Sequence, residues 1–480
     1  MKILRYALYG CGALALLVAG AVSYLVATFD ARDYHERIVL LVEQHTGRTL
    51  EIQGEVALTF WPAASVRLGA LALSERGGAE RFASIESARL KLKLRPLLER
   101  ELVADELVIT GADIRIVRLE DGRLNIDDLF AGEGGAAKFE FGRITLERST
   151  LTYQDLAFAR RFEFSQIELR TGRVTSNTAT PITLGLRVRD REETFNLNIA
   201  LKGQVAFDTP RRLYALDETR IEVKGHVPGL SELAASAGGS VRFDAAAGEL
   251  GATQVSLALA GTAFKQRIRA EVQAPKLVVA QAAYIEGFAA MLDLQGAAGA
   301  TNMKLATQRL MREGDTVAAD SVTVELALKR AQHAVHATIV TPLEGSVRDR
   351  TVLLKALAAD FLASGMQIPG NKLSGSARGS VSVDWARERV QAKLAGKVAD
   401  SSVKLELAVA GFAAPVYTFA ADLDQLDLDR YTVASPGRRQ PAATALDLSA
   451  LAVLPATGTL NIGVLKSADV KARDVRLVIR

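Results

Sequence analysis

A single long apolar run at the start of the chain constrains its architecture more than any other feature. Between Tyr6 and Phe29 there is no charged side chain, and the segment consists mostly of Leu, Ala, Val and Gly. At about 1.5 Å rise per residue, a helix of this length crosses the roughly 30 Å hydrocarbon core of a bilayer with room to tilt. The alternative is a secretory signal peptide, whose apolar region is shorter, roughly 7–15 residues. The sequence therefore predicts a short tail at 1–5, a transmembrane helix at 6–29 and a large body held at a membrane surface.

The residues around this helix leave its orientation open. Lys2 and Arg5 precede the apolar run and further arginines follow it, so the positive-inside rule does not choose a side. The one cysteine, Cys11, lies within the run. The body of the protein therefore forms no disulfide in any compartment, and cysteine usage indicates no redox environment.

The composition argues against nucleic acid as a partner. The 480 residues carry a net charge of only +4 with acids and bases interspersed, and aromatic residues make up 6%. Nucleic-acid binders instead concentrate a basic stripe with stacking aromatics. The most basic stretch alternates cationic and leucine side chains, which is typical of a strand with one basic face. Two interpretations of this basic face stay open, ordinary solvation or contact with lipid headgroups by Arg89, Lys91, Lys93 and Arg95.

Beyond the apolar run, the periodicity changes from helical to strand-like. Apolar side chains at helical spacing predict an amphipathic helix at 30–47, which Gly47 ends. From Val66 onward, apolar and polar residues alternate in many short runs, often separated by Gly, Asn, Asp or Pro. A change of phase predicts a bulge near Gly69. The fold class is therefore mainly β, an antiparallel sheet after the N-terminal helices.

A few segments depart from this alternation. Short helices are expected at Leu230–Ala237, within Lys276–Leu292 and around Leu446–Leu454. The pair Gly238-Gly239 is expected to break the sheet into blocks.

A sheet with one apolar face must cover that face. A second sheet covers it in a sandwich and closure covers it in a barrel, whereas a bound apolar ligand covers an open trough. The inward residues are Leu, Val, Ile and Ala with few aromatics, which favours an elongated, curved groove over a filled core. Burying one CH₂ group is worth about 0.8 kcal/mol, so an acyl chain of about 14 such groups gains about 10 kcal/mol in a dry groove. The residues predicted to line it are Leu90, Leu92, Leu94, Ile114, Ile116, Val322, Val324, Leu326 and Leu328.

No pattern in the sequence predicts catalysis, a metal site or a cofactor. There is no phosphate-binding loop ending in Gly-Lys-Ser/Thr and no Gly-x-Ser-x-Gly elbow. His333 and His336 lie three residues apart in an alternating run, so a strand directs them to opposite faces. The acidic pair Asp127-Asp128 fits a turn or a helix cap better than the carboxylates of a glycosidase. We expect a protein that is not an enzyme.

Short motifs in a fixed order give the chain a family resemblance. They are His45-Thr46-Gly47-Arg48, Leu50-Glu51-Ile52-Gln53-Gly54, Trp61-Pro62, Val66-Arg67-Leu68-Gly69, Ala88-Arg89-Leu90-Lys91-Leu92, Leu94-Arg95-Pro96-Leu97-Leu98, Gly122-Arg123-Leu124-Asn125-Ile126-Asp127-Asp128-Leu129, Leu426-Asp427-Leu428-Asp429-Arg430-Tyr431 and Leu446–Leu451 leading into Gly458-Thr459-Leu460. With these motifs the chain resembles the AsmA family of Gram-negative envelope proteins along most of its length, and about 170–400 resembles it in style rather than in motif.

The resemblance implies an inner-membrane anchor with a cytoplasmic tail at 1–5 and the bulk of the chain in the periplasm. It also implies a sheet with an open hydrophobic groove, as in the TamB-like lipid carriers, and no catalytic residues. By the same resemblance the body divides into an N-terminal family-like region at 48–135, a central sheet at 136–410 and a C-terminal family-like region at 411–480. Because the chain stops within an alternating run, we expect this last region to be incomplete.

The combined prediction is a protein that binds lipid acyl chains and supports phospholipid transport and outer-membrane biogenesis. Its expected partners are phospholipids, the inner membrane and other periplasmic or outer-membrane proteins. The alternative is a periplasmic scaffold or chaperone for outer-membrane protein assembly, whose strand edges pair with client strands.

Overall fold

A computed structural model shows a protein that is almost entirely β-sheet. It describes residues 43–44, 47–54, 57–59, 65–93, 104–127, 142–173, 175, 177–190, 194–208, 210–297, 299–365, 368, 371–427, 456–467 and 470–479. The mainly β prediction is confirmed for these residues, whose strands are numbered β1 to β27. None of the helices in these ranges is long and apolar enough to cross a bilayer. The predicted span at 6–29, most of the helix at 30–47 and the helix at Leu446–Leu454 lie outside the described residues.

The chain divides into two compact units, Met1–Leu233 and Ala234–Arg480, called here the first and second unit. The strands of the first unit are β1 (Leu50–Gln53), β2 (Ala57–Thr59), β3 (Ser65–Leu68), β4 (Ala70–Ser74), β5 (Arg81–Ile85), β6 (Ser87–Leu92), β7 (Ala104–Thr110), β8 (Asp113–Arg118), β9 (Arg143–Asp155), β10 (Arg160–Thr171), β11 (Thr180–Asp190), β12 (Asn196–Asp208) and β13 (Leu213–Val227). Strand β14 (Leu230–Asp244) contains the division.

Strand β9 organises the first unit. Along one edge it pairs in parallel with β7 through Arg143–Glu147 and with β8 through Thr150–Asp155. Strands β6, β3 and β2 continue outward from β7, and β5, β4 and β1 continue outward from β8. The other edge of β9 pairs with β10, and β11 to β13 follow in an antiparallel ladder. The predicted irregularity at Gly69 is the break between β3 and β4.

The second unit is a ladder in which each strand from β15 to β25 pairs antiparallel with the next. Its last two ladders are β25–β26, which is parallel, and β26–β27, which is antiparallel. The strands are β15 (Glu249–Ala263), β16 (Gln266–Val279), β17 (Ala282–Gly296), β18 (Gly299–Glu313), β19 (Thr316–Arg330), β20 (His333–Ser346), β21 (Thr351–Ser364), β22 (Lys372–Asp384), β23 (Arg389–Val398), β24 (Ser401–Ala410), β25 (Val416–Asp427), β26 (Ala456–Ser467) and β27 (Val470–Ile479).

Irregular positions recur midway along these long strands. Gln254 in β15 has a left-handed backbone with φ of 54°, and the β19–β20 register shifts between Ala319 and Val322, opposite Thr341-Pro342. Proline lacks an N–H donor and is confined to such interruptions in a sheet. Because bulges bend a strand and increase its twist, they allow strands of up to 15 residues to curve.

Two predicted helices and one predicted break are wrong. Leu230–Ala237 begins β14, and Lys276–Leu292 contains the end of β16 and most of β17. Both segments contain good helix formers, but pairing along a whole strand outweighs intrinsic propensity, which differs by less than about 1 kcal/mol per residue. The pair Gly238-Gly239 lies inside β14, since a strand tolerates glycine where another backbone approaches closely.

Candidate functional site

One uninterrupted row of apolar residues crosses every strand of the second unit from β15 to β27. Each member is the registered partner of the next, so all of them lie on the same side of the sheet, called here the apolar face. In chain order the row comprises Leu257, Val272, Ala290, Leu305, Val324, Ile339, Ala359, Ala377, Gly396, Val403, Leu423, Ile462 and Val475. The predicted residue Val324 is the fifth of the thirteen members of this row.

Further rows flank this one on the apolar face. Leu326 belongs to a row that comprises Leu259, Ala270, Leu292, Met303, Leu326, Ala337, Phe361, Gly375 and Val398. Leu328 pairs with Thr301 and Val335, and Val322 pairs with Thr307 and Thr341. All four residues predicted in β19 therefore lie on one face, although the neighbours of Val322 are hydroxyl-bearing.

The opposite side of the sheet, called here the polar face, carries charged side chains paired across strands. Lys304 Nζ lies 3.6 Å from Glu325 Oε2, Lys355 Nζ 2.6 Å from Glu344 Oε2, and Lys393 Nζ 3.2 Å from Glu406 Oε1. These side chains are half to three-quarters exposed, so each pair contributes little to stability, roughly 0–1 kcal/mol. Their value is solubility, because they keep water on this side of the sheet.

The apolar face has no second layer over it within the part of the second unit that the structure describes. The strands in extensive contact there are hydrogen-bonded neighbours, and neither a sheet nor a helix packs across them. Leu257 is 47% exposed, Leu328 38% and Met303 37%. Exposure falls toward β26, where Ile462 is 2% exposed. In a sandwich, the alternative to an open groove, a second sheet would bury these side chains, and that arrangement is not found among these strands.

Three of the predicted residues of the first unit also share one face. Leu90 in β6 pairs with Val66 and Leu107, and all three are at apolar positions of neighbouring strands. Ile114 in β8 pairs with Leu151, and Ile116 pairs with Tyr153. Strand β11 links the two groups. The register places Leu184 on the same face as Leu90, and Val188 on the same face as Ile114 and Ile116. Leu184 and Val188 share one face because the strand alternates regularly between them.

The remaining predicted positions are at the end of β6 or beyond it. Leu92 is the last residue of β6, opposite Ala104. Leu94 and Arg95 lie outside the described residues. Arg89 is exposed, Lys93 is half-buried, and the Lys91 ammonium forms an ion pair with Glu106.

Several residues of the apolar face were not predicted from the sequence. The residues of β17 and β21, such as Leu292 and Ala359, were not proposed as lining, because the first lies in a predicted helix and the second in an alanine-rich run. Their signal is the register, since each is the direct partner of an apolar residue on both neighbouring strands.

No catalytic or metal-binding cluster is found in the described residues. They contain no group of three or more His, Cys, Asp or Glu placed to hold a metal ion. His333 and His336 register with Arg330 and Ala327, at positions of opposite parity in β20. Asp127 is exposed and accepts a hydrogen bond from the Leu124 amide at 2.9 Å, which makes it a turn residue. Asp128 lies outside the described ranges.

Comparison with known proteins agrees with the resemblance read from the motifs. The model of the AsmA family matches residues 1–328. Protein AsmA of Escherichia coli (strain K12) is 27% identical over 152 residues, which cover 29% of this chain and 24% of that protein. The aligned part thus spans about a quarter of the curated relative. No solved structure matches the chain.

Proposed function

The chain belongs to the AsmA family, and on that basis we propose that the apolar face of its second unit binds lipid acyl chains. The observation that carries the proposal is the apolar row through Val324, which no described layer covers around β15 to β19 and whose Leu257 is 47% exposed. A face of this kind costs free energy in water unless something apolar covers it.

An acyl chain suits this face because of its shape and its chemistry. The face is lined by aliphatic side chains such as Leu257, Val324 and Ile339, which match the chemistry of a hydrocarbon chain. With strands about 4.8 Å apart, the row from β15 to β27 extends roughly 58 Å. Two opposed leaflets fill roughly 30 Å, so one acyl chain spans about half of that and several can lie along the row. Each buried CH₂ group contributes about 0.8 kcal/mol.

The cellular setting completes the proposal. The protein is held in the inner membrane by the predicted helix at 6–29, its bulk lies in the periplasm, and it supports phospholipid transport and outer-membrane biogenesis. Phospholipids and the inner membrane are its proposed partners, with other envelope proteins at the far end of the route. It acts by binding and shielding, without catalysis.

The alternative, a scaffold that pairs an edge strand with client strands, is disfavoured by the residues of β27. Within the described part, β27 pairs with β26 alone. Its exposed side chains include Lys471, Arg473 and Arg476, and Asp474 has a left-handed backbone with φ of 51°. Charges and an irregular backbone on an edge strand oppose the addition of a further strand.

A photo-crosslinking amino acid placed on each face tests the proposal. The full chain is labelled at Leu326 on the apolar face or, as the matched control, at the adjacent Ala327 on the polar face, and is irradiated in cell membranes. We expect phospholipid adducts from position 326 and few from position 327, detected by mass spectrometry of the purified protein. Equal labelling at the two positions, or none at either, contradicts an acyl-binding face.

A charge on the same face provides the loss-of-function arm. Val324→Lys places an ammonium within the row, whereas Thr323→Lys places it on the neighbouring residue of opposite orientation. We expect the first variant to lose most phospholipid that co-purifies in mild detergent and the second to retain it. Retention of lipid by Val324→Lys, with an unchanged fold by circular dichroism, contradicts the proposal. Capture of unfolded outer-membrane protein without lipid instead supports the scaffold.

A further inference from the structure

Three cationic side chains meet at a cleft on the polar face of the second unit. The cleft has a volume of about 530 Å³, and Lys265, Arg267 and Lys329 line it together with the backbone of Gly296 and Gly299. Register explains the meeting, because Arg267 pairs with Gln295, Gln295 with Ala300, and Ala300 with Lys329. The cleft lies where the hairpins β15–β16, β17–β18 and β19–β20 turn.

The charge of this cleft is not neutralised within the described part of the chain. Several lysines elsewhere on the polar face have carboxylate partners, such as Lys304 with Glu325, but among the described residues no ion pair joins Lys265, Arg267 or Lys329 to an acid. The segments 259–270, 296–301 and 326–336 contain no Asp or Glu. The nearest carboxylate along these strands, Asp293, accepts a hydrogen bond from Asn302 at 2.6 Å. The cleft is therefore a local concentration of positive charge on a chain of net charge +4.

An exposed aromatic residue lies at the tip of the same hairpin. Phe264 and Lys265 form the two-residue turn between β15 and β16, with φ of 52° and 63°, as a type I′ hairpin turn requires. Phe264 is 92% exposed. A type I′ turn usually has Asn or Gly at its first position, so a phenylalanine there is both conformationally unfavourable and fully hydrated. This arrangement is explained if the ring has an apolar destination outside the protein.

We propose that this basic rim, defined as Phe264, Lys265, Arg267 and Lys329, docks on an anionic lipid bilayer. The cations attract the phosphates of the surface and Phe264 inserts among the headgroups, the combination that interfacial membrane binders use. The opposite ends of these strands do not suit the same surface. The turns at that end of the sheet carry acidic side chains: Glu313 and Asp315 where β18 turns into β19, Asp349 beside two arginines between β20 and β21, and Glu388 beside Arg387 between β22 and β23. Docking through the basic rim is independent of acyl binding on the apolar face, so either proposal can fail alone.

The test uses the full chain inserted by its apolar N-terminal segment into nanodiscs of phosphatidylcholine. Capture of these nanodiscs by floating vesicles is measured with vesicles of phosphatidylcholine alone or mixed two-to-one with phosphatidylglycerol. We expect capture by the anionic vesicles only. Because each cation near an anionic surface contributes about a fivefold factor, Lys265→Gln, Arg267→Gln and Lys329→Gln combined are expected to lower capture at least tenfold.

A matched triple variant distinguishes this rim from general charge. Lys304→Gln, Lys355→Gln and Lys393→Gln remove the same net charge from the same face and are expected to change capture less than twofold. Likewise Phe264→Ala is expected to weaken capture severalfold, and Trp385→Ala, which removes an exposed aromatic at the opposite ends of the strands, is not. Equal losses in the two triple variants, or no loss in the first, overturn the proposal.

A gain of signal guards against misfolded variants. With Trp61 and Trp385 replaced by Phe, F264W supplies the one indole of the chain. Brominated phosphatidylcholine within the anionic vesicles should quench its fluorescence. Unquenched fluorescence from protein that is bound to the vesicles shows that the tip does not insert and overturns the proposal.

Discussion

The guanidinium of Arg48 donates a hydrogen bond of 2.5 Å from Nη2 to the carbonyl oxygen of Asn125, 77 residues further along the chain. The Asn125 side chain donates to the carboxylate of Glu75 at 2.7 Å, and that carboxylate lies 3.6 Å from Nη1 of Arg48. Arg48 is fully buried, with its guanidinium 4.4 Å from the centre of the Phe82 ring. One network around the buried Arg48 thus joins the segment just before β1 to a turn beyond β8.

This network explains why two separate motifs accompany each other in the family resemblance. The segment ending at Arg48 supplies the cation, and the segment 122–129 supplies Asn125, whose Oδ1 also accepts from the Val117 amide at 3.0 Å. Each motif supplies hydrogen-bond partners to the other, so either motif without the other would leave polar groups unsatisfied.

Removing the cation should destabilise the first unit. Arg48→Met keeps most of the contact with Phe82 but removes the guanidinium donor from the carbonyls of Asn125 and Ser74 and the cation beside the Glu75 carboxylate. We expect a loss of about 3 kcal/mol in local opening free energy. The measurement is amide hydrogen exchange of peptides within 65–93 and 104–127 of the full chain.

Arg115→Met is the control for this variant. Arg115 contacts Glu80 at 3.5 Å, but both side chains are about half exposed or more, so its loss should cost less than about 1 kcal/mol. Similar effects of the two substitutions would show that the buried network does not hold the unit together.

A pair of glycine substitutions tests how tightly the strands of the second unit approach. A Cβ atom at Gly396 would lie 1.8 Å from the carbonyl oxygen of Ser376, whereas one at Gly251 meets nothing within 4 Å. We expect Gly396→Ala to destabilise the β22–β23 ladder by about 1–3 kcal/mol, because the neighbouring backbone must move. Gly251→Ala should be neutral or stabilising by up to about 1 kcal/mol, through the unfolded chain.

Hydrogen exchange of peptides covering β15 and β22 reports both outcomes in the same protein. If Gly396→Ala leaves exchange in β22 and β23 unchanged, the close approach of these strands is not a real constraint on this row of the apolar face.

The fold class was predictable because alternation is a local property. A strand such as β19 carries Val322, Val324, Leu326 and Leu328 against polar neighbours, and one wet face and one apolar face follow directly from a period of two. The alternation fails as a signal where both faces have small side chains, as in β14, where Ala, Gly and Ser occupy all of 234–240. There the sequence reads as helix, and only pairing along the full strand decides otherwise.

The candidate site was less predictable because it depends on register. That Leu305, Val324 and Ile339 are neighbours follows from the turn lengths and bulges of β18 to β20, which set which residues face each other. The basic rim was even less predictable, since Lys265 and Lys329 belong to different hairpins and neither lies in a run of charged residues. Periodicity identifies the face of each strand but not the position of one strand along the next.

The left-handed residue in β15 should be improved by glycine. Gln254 has φ of 54°, and a left-handed backbone costs an L-residue about 1–2 kcal/mol that glycine does not pay. We expect Gln254→Gly to stabilise the β15–β16 ladder by roughly 0.5–1 kcal/mol and Gln254→Val to destabilise it. Ser256→Gly, two residues along in regular strand, should instead cost roughly 0.5–1 kcal/mol. Thermal unfolding, monitored by hydrogen exchange of the β15 peptide, measures the stability of all three variants. If the two glycine variants change stability in the same direction, the backbone at Gln254 is not strained.

Asp384, in the turn between β22 and β23, should titrate below the usual range of an aspartate. The Arg387 amide donates to Asp384 Oδ1 at 2.9 Å and the Arg387 guanidinium to Oδ2 at 2.8 Å, and these bonds, the amide first, lower the pKa of Asp384 below its ordinary 3.8. Since the folded form has the lower pKa, the carboxylate stabilises the turn at pH above 3.8 and this contribution is lost as the pH falls through the lowered pKa. With Trp61 replaced by Phe, fluorescence of the adjacent Trp385 should show a transition below pH 3.8 that Asp384→Asn abolishes.

Arg387→Ala should raise the midpoint of this transition only part of the way toward 3.8, because the backbone amide still donates its hydrogen bond. A midpoint at or above 3.8 in the otherwise unchanged chain would show that these bonds do not hold the turn.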